Sequence, residues 1–242
     1  MKIDLNCDLG EGIGNDEAIM PYITSANIAS GFHAGDEQTM CETVRLAKRF
    51  GVNVGAHPGW KDRENFGRRE MSVPAEEVEA LVWEQIRALA EIAKAEGVEL
   101  THVKPHGALY NQAAGNGTLA EAIVRAVKRV SVELVLVGLA GSALCEAGVE
   151  LGLRVAAEGF PDRGYNPDGT LMSRNQAGAL IESPGEVAKN ALKLINDGIL
   201  FAEKIVGVDT LCLHGDHPNA AQNAKLLRGI LIRNGIEVAG LK

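Results

Sequence analysis

From Ile3 to Leu9 the chain alternates strictly, with Ile3, Leu5, Cys7 and Leu9 on one phase and Asp4, Asn6 and Asp8 on the other. A period of two over seven residues predicts a strand, here with one apolar face and one face carrying carboxylates. Similar short runs predict strands over 26–32, 52–57, 100–106, 133–138, 154–160 and 210–214, and IEVAG at 236–240 is a candidate eighth. Helical patterns separate them. In the 74–96 segment Pro74 suits a first turn and Glu76, Glu77 and Glu79 complement the helix dipole. Val78, Leu81, Val82, Ile86 and Leu89 make its apolar face, and Gly97 stops it. A second helix is predicted from about 184, opened by Ser183-Pro184-Gly185-Glu186 as a capping box and apolar through Val187, Ala191, Leu194 and Ile195. Strand and helix alternating along the whole chain predict an α/β fold with a parallel sheet.

The polar phases decide between an open sheet and a closed one. Helices cover both faces of an open parallel sheet, so its central strands read as continuous apolar runs. ELVLVG does so, but most others do not. Asn27 shares a phase with Gly31 and His33, Asn53 with Gly55 and His57, His102 with Lys104 and His106, and Cys212 with His214 and Asp216. Polar phases on several strands need a shared interior, which a barrel provides. The expectation is a single domain over 1–242, a somewhat distorted seven-stranded (β/α) barrel whose lumen receives Asp4, Asn6 and Asp8.

Composition adds exclusions. The 242 residues are 46% apolar, 23% charged and only 4% aromatic, which describes a globular chain. A net charge of −8 without a basic run argues against nucleic acid and anionic membrane surfaces as partners. No apolar leader pattern and no stretch of roughly 18 apolar residues is present, so a cytoplasmic location is expected. Cys7, Cys41, Cys145 and Cys212 lack CxxC spacing and read as thiols rather than a disulfide or zinc framework.

The chemistry gathers at one end of the strands. His33, His57, His106 and His214 each fall at or just past the carboxyl end of a predicted strand, the end that carries active sites in such barrels. Taken singly, each residue has a structural reading: Asp4 or Asp8 as a hydrogen-bonded interior acid, Lys104 as its counter-ion, Arg163 as part of a solvated loop. Together they suit general acid/base transfer. No Walker A pattern, GxSxG elbow or GxGxxG turn occurs, which argues against a P-loop, a serine acyl-enzyme and a dinucleotide site. The composition of the rim fits hydrolysis at a carbonyl centre, either by base-activated water or by water on a divalent metal, for which Asp8, His57 and His106 are candidate ligands.

Six ordered motifs support a resemblance: DLNCDLGEG (4–12), NIASGFHAGDE (27–37), VGAHPGW (54–60), HVKPHGALYN (102–111), E-x-F-x-D-R-x-Y from Glu158 to Tyr165, and LCLHGDHP (211–218). The chain resembles the family of 5-oxoprolinase A subunits, also called the LamB/YcsF lactam-utilisation family, and departs from its pattern at Ser30, Pro161 and His217. The resemblance implies ATP-dependent opening of 5-oxo-L-proline to L-glutamate with companion B and C subunits. It also implies a barrel similar to that of polysaccharide deacetylase-like hydrolases. On this reading Asp8 or Glu11 is the base, His106 or His57 the acid, and Lys104 with His33 stabilises the oxyanion. Arg163 clamps the substrate carboxylate, and Asp4, Asn6, Asp36, Glu158, His214 and Asp216 complete the substrate site. The alternatives are a metal-dependent amide or carbohydrate deacetylase and a non-catalytic protein that binds the lactam for its partners.

Overall fold

The alternation of Ile3–Leu9 is realised as β1 (Lys2–Leu9) in a computed structural model that describes residues 1–201, 203–213 and 219–241. The remaining elements follow in order: α1 (Asp16–Ile19), β2 (Ser25–Ala29), α2 (Glu37–Phe50), β3 (Asn53–His57), α3 (Ala75–Ala95), β4 (Leu100–Val103), α4 (Gly107–Gly115) and α5 (Gly117–Val130). Then come β5 (Val135–Leu139), α6 (Ala143–Glu150), β6 (Arg154–Gly159), α7 (Pro184–Asp197), β7 (Ile199–Phe201), β8 (Lys204–Val206), β9 (Thr210–Leu213), α8 (Ala220–Arg233) and β10 (Glu237–Val238).

Seven parallel strands close in the order β1-β2-β3-β4-β5-β6-β9, and β9 pairs back onto β1 from Asp4↔Thr210 to Cys7↔Leu213. The closure is uneven. The β4–β5 and β6–β9 seams carry two residue pairs each, and the β3–β4 register shifts at Val54/Gly55. The candidate eighth strand exists as β10, but it only extends β1 at Lys2 and Ile3 and is not part of the ring. Two strands are shorter than their sequence patterns: β2 ends at Ala29 and β4 at Val103, two residues before Pro105, which has no N–H for a ladder. The β7–β8 hairpin was not expected, because its three-residue strands are too short to show a period.

The two phases of β1 separate as the pattern requires. Ile3, Leu5, Cys7 and Leu9 are buried in the apolar core. Asp4 and Asn6 turn into the lumen, where hydrogen bonds satisfy them. Asp4 accepts from Thr24 at 2.8 Å, Ser25 at 2.6 Å and Thr210 at 2.5 Å. Asn6 donates to Glu158 at 2.9 Å and Thr210 at 2.7 Å, and Asn27 donates to Asn6 at 2.7 Å. His102 donates from Nε2 to Asn27 at 2.8 Å, and burial pushes its pKa down to about 3. Its ring lies directly over β3, so a Cβ at Gly55 would collide with the imidazole. Only glycine fits there.

Outside the barrel, α3 buries Val78, Val82, Ile86 and Leu89 as its stripe predicts, with Leu81 only partly covered. One polar side chain joins them. Gln85 is buried and brackets Gly59, accepting from its N–H and donating to its carbonyl, both at 3.0 Å, and so ties the loop after β3 to the helix. The capping box expected at α7 does not form. Ser183 precedes the helix but makes no side-chain capping bond, and Pro184 takes the first position, where a missing N–H costs nothing. Cys7, Cys41, Cys145 and Cys212 are all free thiols. No helix among the described residues is long and apolar enough to cross a membrane.

Candidate functional site

At the carboxyl ends of the strands lies a cavity of about 700 Å³ with Asp8, Glu11, His57, Lys104 and His106 in its wall. β1 delivers Asp8, and the turn after it delivers Glu11. β3 ends on His57. Beyond β4, the Lys104 N–H bonds Ala56 O at 2.9 Å and the His106 N–H bonds Pro58 O at 2.8 Å, so both residues are held to the chain leaving β3. His33 follows β2 and is pressed against this chain; a Cβ at Gly59 would lie 2.7 Å from its Nδ1.

The three imidazoles form one group. His33 stacks on His106 with ring centroids 3.8 Å apart, and His57 meets His106 edge-on at 4.8 Å. His57 Nδ1 donates to Lys104 O at 2.7 Å and His106 Nε2 donates to Phe66 O at 2.8 Å, leaving His57 Nε2 and His106 Nδ1 3.0 Å apart. Glu11 Oε1 lies 3.5 Å from His106 Nδ1 and 3.7 Å from His33 Nε2. Both nitrogens of His33 are buried and lack a hydrogen-bond partner among the described residues. Burial lowers the pKa of His33 far below the usual imidazole range, and burial together with His57 brings His106 to about 3.

Ligand-type atoms of Glu11, His33, His57 and His106 all lie within 4.8 Å of one another. Imidazoles plus a carboxylate suit a divalent metal, and Nε2 of His33, the unsatisfied nitrogen on the Glu11 side, is what such an ion would use. The expected trio was Asp8, His57 and His106. Both histidines belong to the group, but Glu11 supplies its carboxylate and His33 joins it. Asp8 stands beside it, with Oδ2 3.3 Å from His57 Nε2.

Lys104 is enclosed more completely than the sequence suggests. Its Nζ is 3.0 Å from Asp8, 2.9 Å from Glu158, 3.0 Å from Cys212 Sγ and 3.3 Å from Asn6. Burial opposes its charge, but Asp8, Cys212 and Glu158 outweigh burial and hold the ammonium well above the usual lysine range. Four acceptors surround its three N–H groups, so the ammonium is a fixed counter-charge for Asp8 in the cavity wall. Glu158, fully buried, also accepts from Tyr110 Oη at 2.7 Å.

Other expected residues lie elsewhere. Asp4 and Asn6 sit in the lumen network and do not line the cavity. Asp36 is exposed at the start of α2, where it accepts from the Thr39 N–H at 2.8 Å as an N-cap; its neighbour Glu37 already belongs to the helix. Arg163 does line the cavity, but its Nε and Nη2 donate to Ala179 O at 3.1 Å and Met172 O at 2.6 Å, pinning the 161–181 segment. His214 and Asp216 fall outside the described residues. Sequence reasoning missed Arg68, Tyr110 and Arg174 in the cavity wall, and the buried partner Cys212. Tyr110 had a signal, lying one helical turn after His106.

The chain has close counterparts among known proteins. The LamB/YcsF family matches residues 3–242. The chain belongs to that family. A relative from Methylococcus capsulatus, named as the A subunit of 5-oxoprolinase, is 52% identical, over 99% of this chain and 95% of its own length. The crystal structure of the lactam utilization protein from Thermus thermophilus is 45% identical and superposes over all of both chains with a TM-score of 0.91. The polysaccharide deacetylase Bc1974 from Bacillus cereus, 14% identical over 100% of this chain and 93% of its own, has a TM-score of 0.53. At that identity it bears on the fold alone, which agrees with the deacetylase-like barrel expected for the LamB/YcsF chain.

Proposed function

We propose that the chain opens the lactam of 5-oxo-L-proline to L-glutamate, as the A subunit of an ATP-dependent 5-oxoprolinase that also needs B and C subunits. The observation that carries this is the Asp8, Glu11, His57 and His106 cluster in the wall of a large cavity, in a chain whose full-length relatives bear that name. A lactam is a stabilised amide, so its opening needs an activated water, a stabilised oxyanion and a proton for the leaving nitrogen.

Asp8 is the base in this reading, receiving a proton from the attacking water at Oδ2. The Lys104 ammonium, 3.0 Å away, gives it a counter-charge throughout. His57 and His106 spend their N–H groups on backbone carbonyls, so neither offers a proton to the cavity. The proton for the leaving nitrogen therefore comes back from Asp8. A divalent metal held by Glu11, His33, His57 and His106 would supply Lewis acidity next to this carboxylate. The substrate carboxylate is received by the arginine side of the cavity, which Arg68, Arg163 and Arg174 line. About 700 Å³ is more than a single five-membered ring needs, in line with space for part of a co-substrate such as ATP.

Glutamate release from 5-oxo-L-proline and ATP, measured with and without the B and C subunits, tests the proposal. The wild-type assembly should produce glutamate, and Asp8→Asn should lower turnover by about 10²-fold or more with KM little changed. Near-normal turnover with Asp8→Asn would favour a lactam-binding role without catalysis. Glutamate formed equally well without ATP would favour a self-sufficient amide hydrolase.

A further inference from the structure

Acid/base chemistry alone does not account for the arrangement of the three imidazoles. A carbonyl oxygen can only accept, so the bonds to Lys104 O and Phe66 O commit the ring protons of His57 to Nδ1 and of His106 to Nε2. Their other nitrogens then face each other at 3.0 Å as two lone pairs. Two acceptors this close repel unless a positive centre sits between them. His33, 1% exposed and stacked on His106, adds two nitrogens with no hydrogen-bond partner among the described residues. Leaving such an atom buried and unbonded is unfavourable, because water is lost and nothing replaces it. Glu11 brings a carboxylate oxygen to the same place, 3.5 Å from His106 Nδ1.

We infer that this is a transition-metal centre with His33, His57, His106 and Glu11 as its ligands, and that Asp8 is not among them. The Lys104 and Phe66 carbonyls are its outer partners, fixing which nitrogen of each ring faces the ion, the arrangement that orients metal-bound histidines generally. Three imidazoles and one carboxylate select a first-row divalent ion such as zinc, cobalt or nickel over magnesium or calcium, which take oxygen sets. Asp8 is set apart by its contacts. Oδ1 receives Lys104 Nζ at 3.0 Å and Asn27 Nδ2 at 2.8 Å, so its charge is matched from the protein side. The two carboxylates of the DLGEG turn thus divide the work: Glu11 holds the ion and Asp8 moves protons.

The inference refines the lactam-opening site but is tested without substrate, so either can fail alone. The full chain, stripped with a chelator, is titrated with Co(II) and followed by visible absorption, with bound ion counted by mass spectrometry and folding checked by circular dichroism. Wild type should take up about one Co(II) per chain, show ligand-field bands and melt at higher temperature, whereas Mg(II) should do neither. Glu11→Gln and His33→Asn should each weaken Co(II) binding by at least about tenfold, since losing even an outer partner costs that much. Asp8→Asn should bind Co(II) within about threefold of wild type. A folded wild type that takes up neither Co(II) nor Zn(II), meaning that a proton alone bridges His57 and His106, overturns the inference. So does loss of Co(II) in Asp8→Asn with retention in Glu11→Gln.

Discussion

Lys104 shows how a residue's worth depends on what surrounds it. An ammonium 2.9–3.0 Å from two carboxylates in the interior is poor evidence of added stability, because desolvation offsets most of the attraction, but removing it strands both acids. Lys104→Met should therefore destabilise the fold by about 3–5 kcal/mol in urea titrations and lower turnover by about 10²-fold. Restoring charge balance with Glu158→Gln in the same chain should recover part of the stability but not the turnover. Full recovery of both would mean that the ammonium serves only Glu158. His102 makes a pH prediction. Burial pushes His102 down to about 3 from an ordinary 6.5, so between these limits the unfolded chain binds a proton that the folded chain does not. Its contribution to stability is complete above about pH 6.5 and is lost as pH falls toward 3, by up to about 1.4 kcal/mol per pH unit. Urea titrations across this window should show the slope, and His102→Gln should flatten it. An unchanged slope in that variant would remove His102 from the account. In the sequence, residue type and strand phase pointed to these groups, but the direction of each proton did not. That depends on the carbonyls of Lys104 and Phe66, which look like any others in a sequence.

At the scale of elements, periodicity is a good guide where one face of an element is polar and the other apolar, whether the polar face meets water, as in α3, or a buried lumen, as in the ring. The strands of the ring and the long helix α3 were legible for that reason, and the three-residue strands of the hairpin were not. Asp36 illustrates a different kind of error. HAGDE reads as site chemistry because it is charged and follows a strand, yet Asp36 satisfies the open end of α2. Gln85 is the reverse case, a polar residue in an apolar stripe that reads as an imperfection and proves to hold Gly59 by both of its backbone groups. Gln85→Leu keeps the volume but leaves a buried N–H and a buried carbonyl without partners. It should cost about 1–3 kcal/mol by thermal or urea melting. Because Gly59 packs on His33, it should also weaken substrate turnover, whereas the same substitution at an exposed site of α3 should do neither.

At the scale of the whole molecule the strands form a ring that keeps their polar phases inside, and this explains why the fold was more readable than the site. Closure was legible because polar phases on several strands, from Asp4 and Asn6 to His102 and Cys212, need a common interior. The division of that interior was not. The level at which lumen network gives way to cavity depends on register, and the offset of β3 against β4 at Val54/Gly55 is a product of packing. Asp4 and Asn6 accordingly lie below the cavity, and Asp8, two residues further along β1, lies in its wall. Gly55 and His102 share one space across this offset, which links their histories. Gly55→Ala should be severely damaging alone, since the added methyl runs into the imidazole, and largely tolerable once His102 is cut back to alanine. Across the lineages of this barrel, any descendant that acquires a side chain at position 55 should already have given up the ring at position 102.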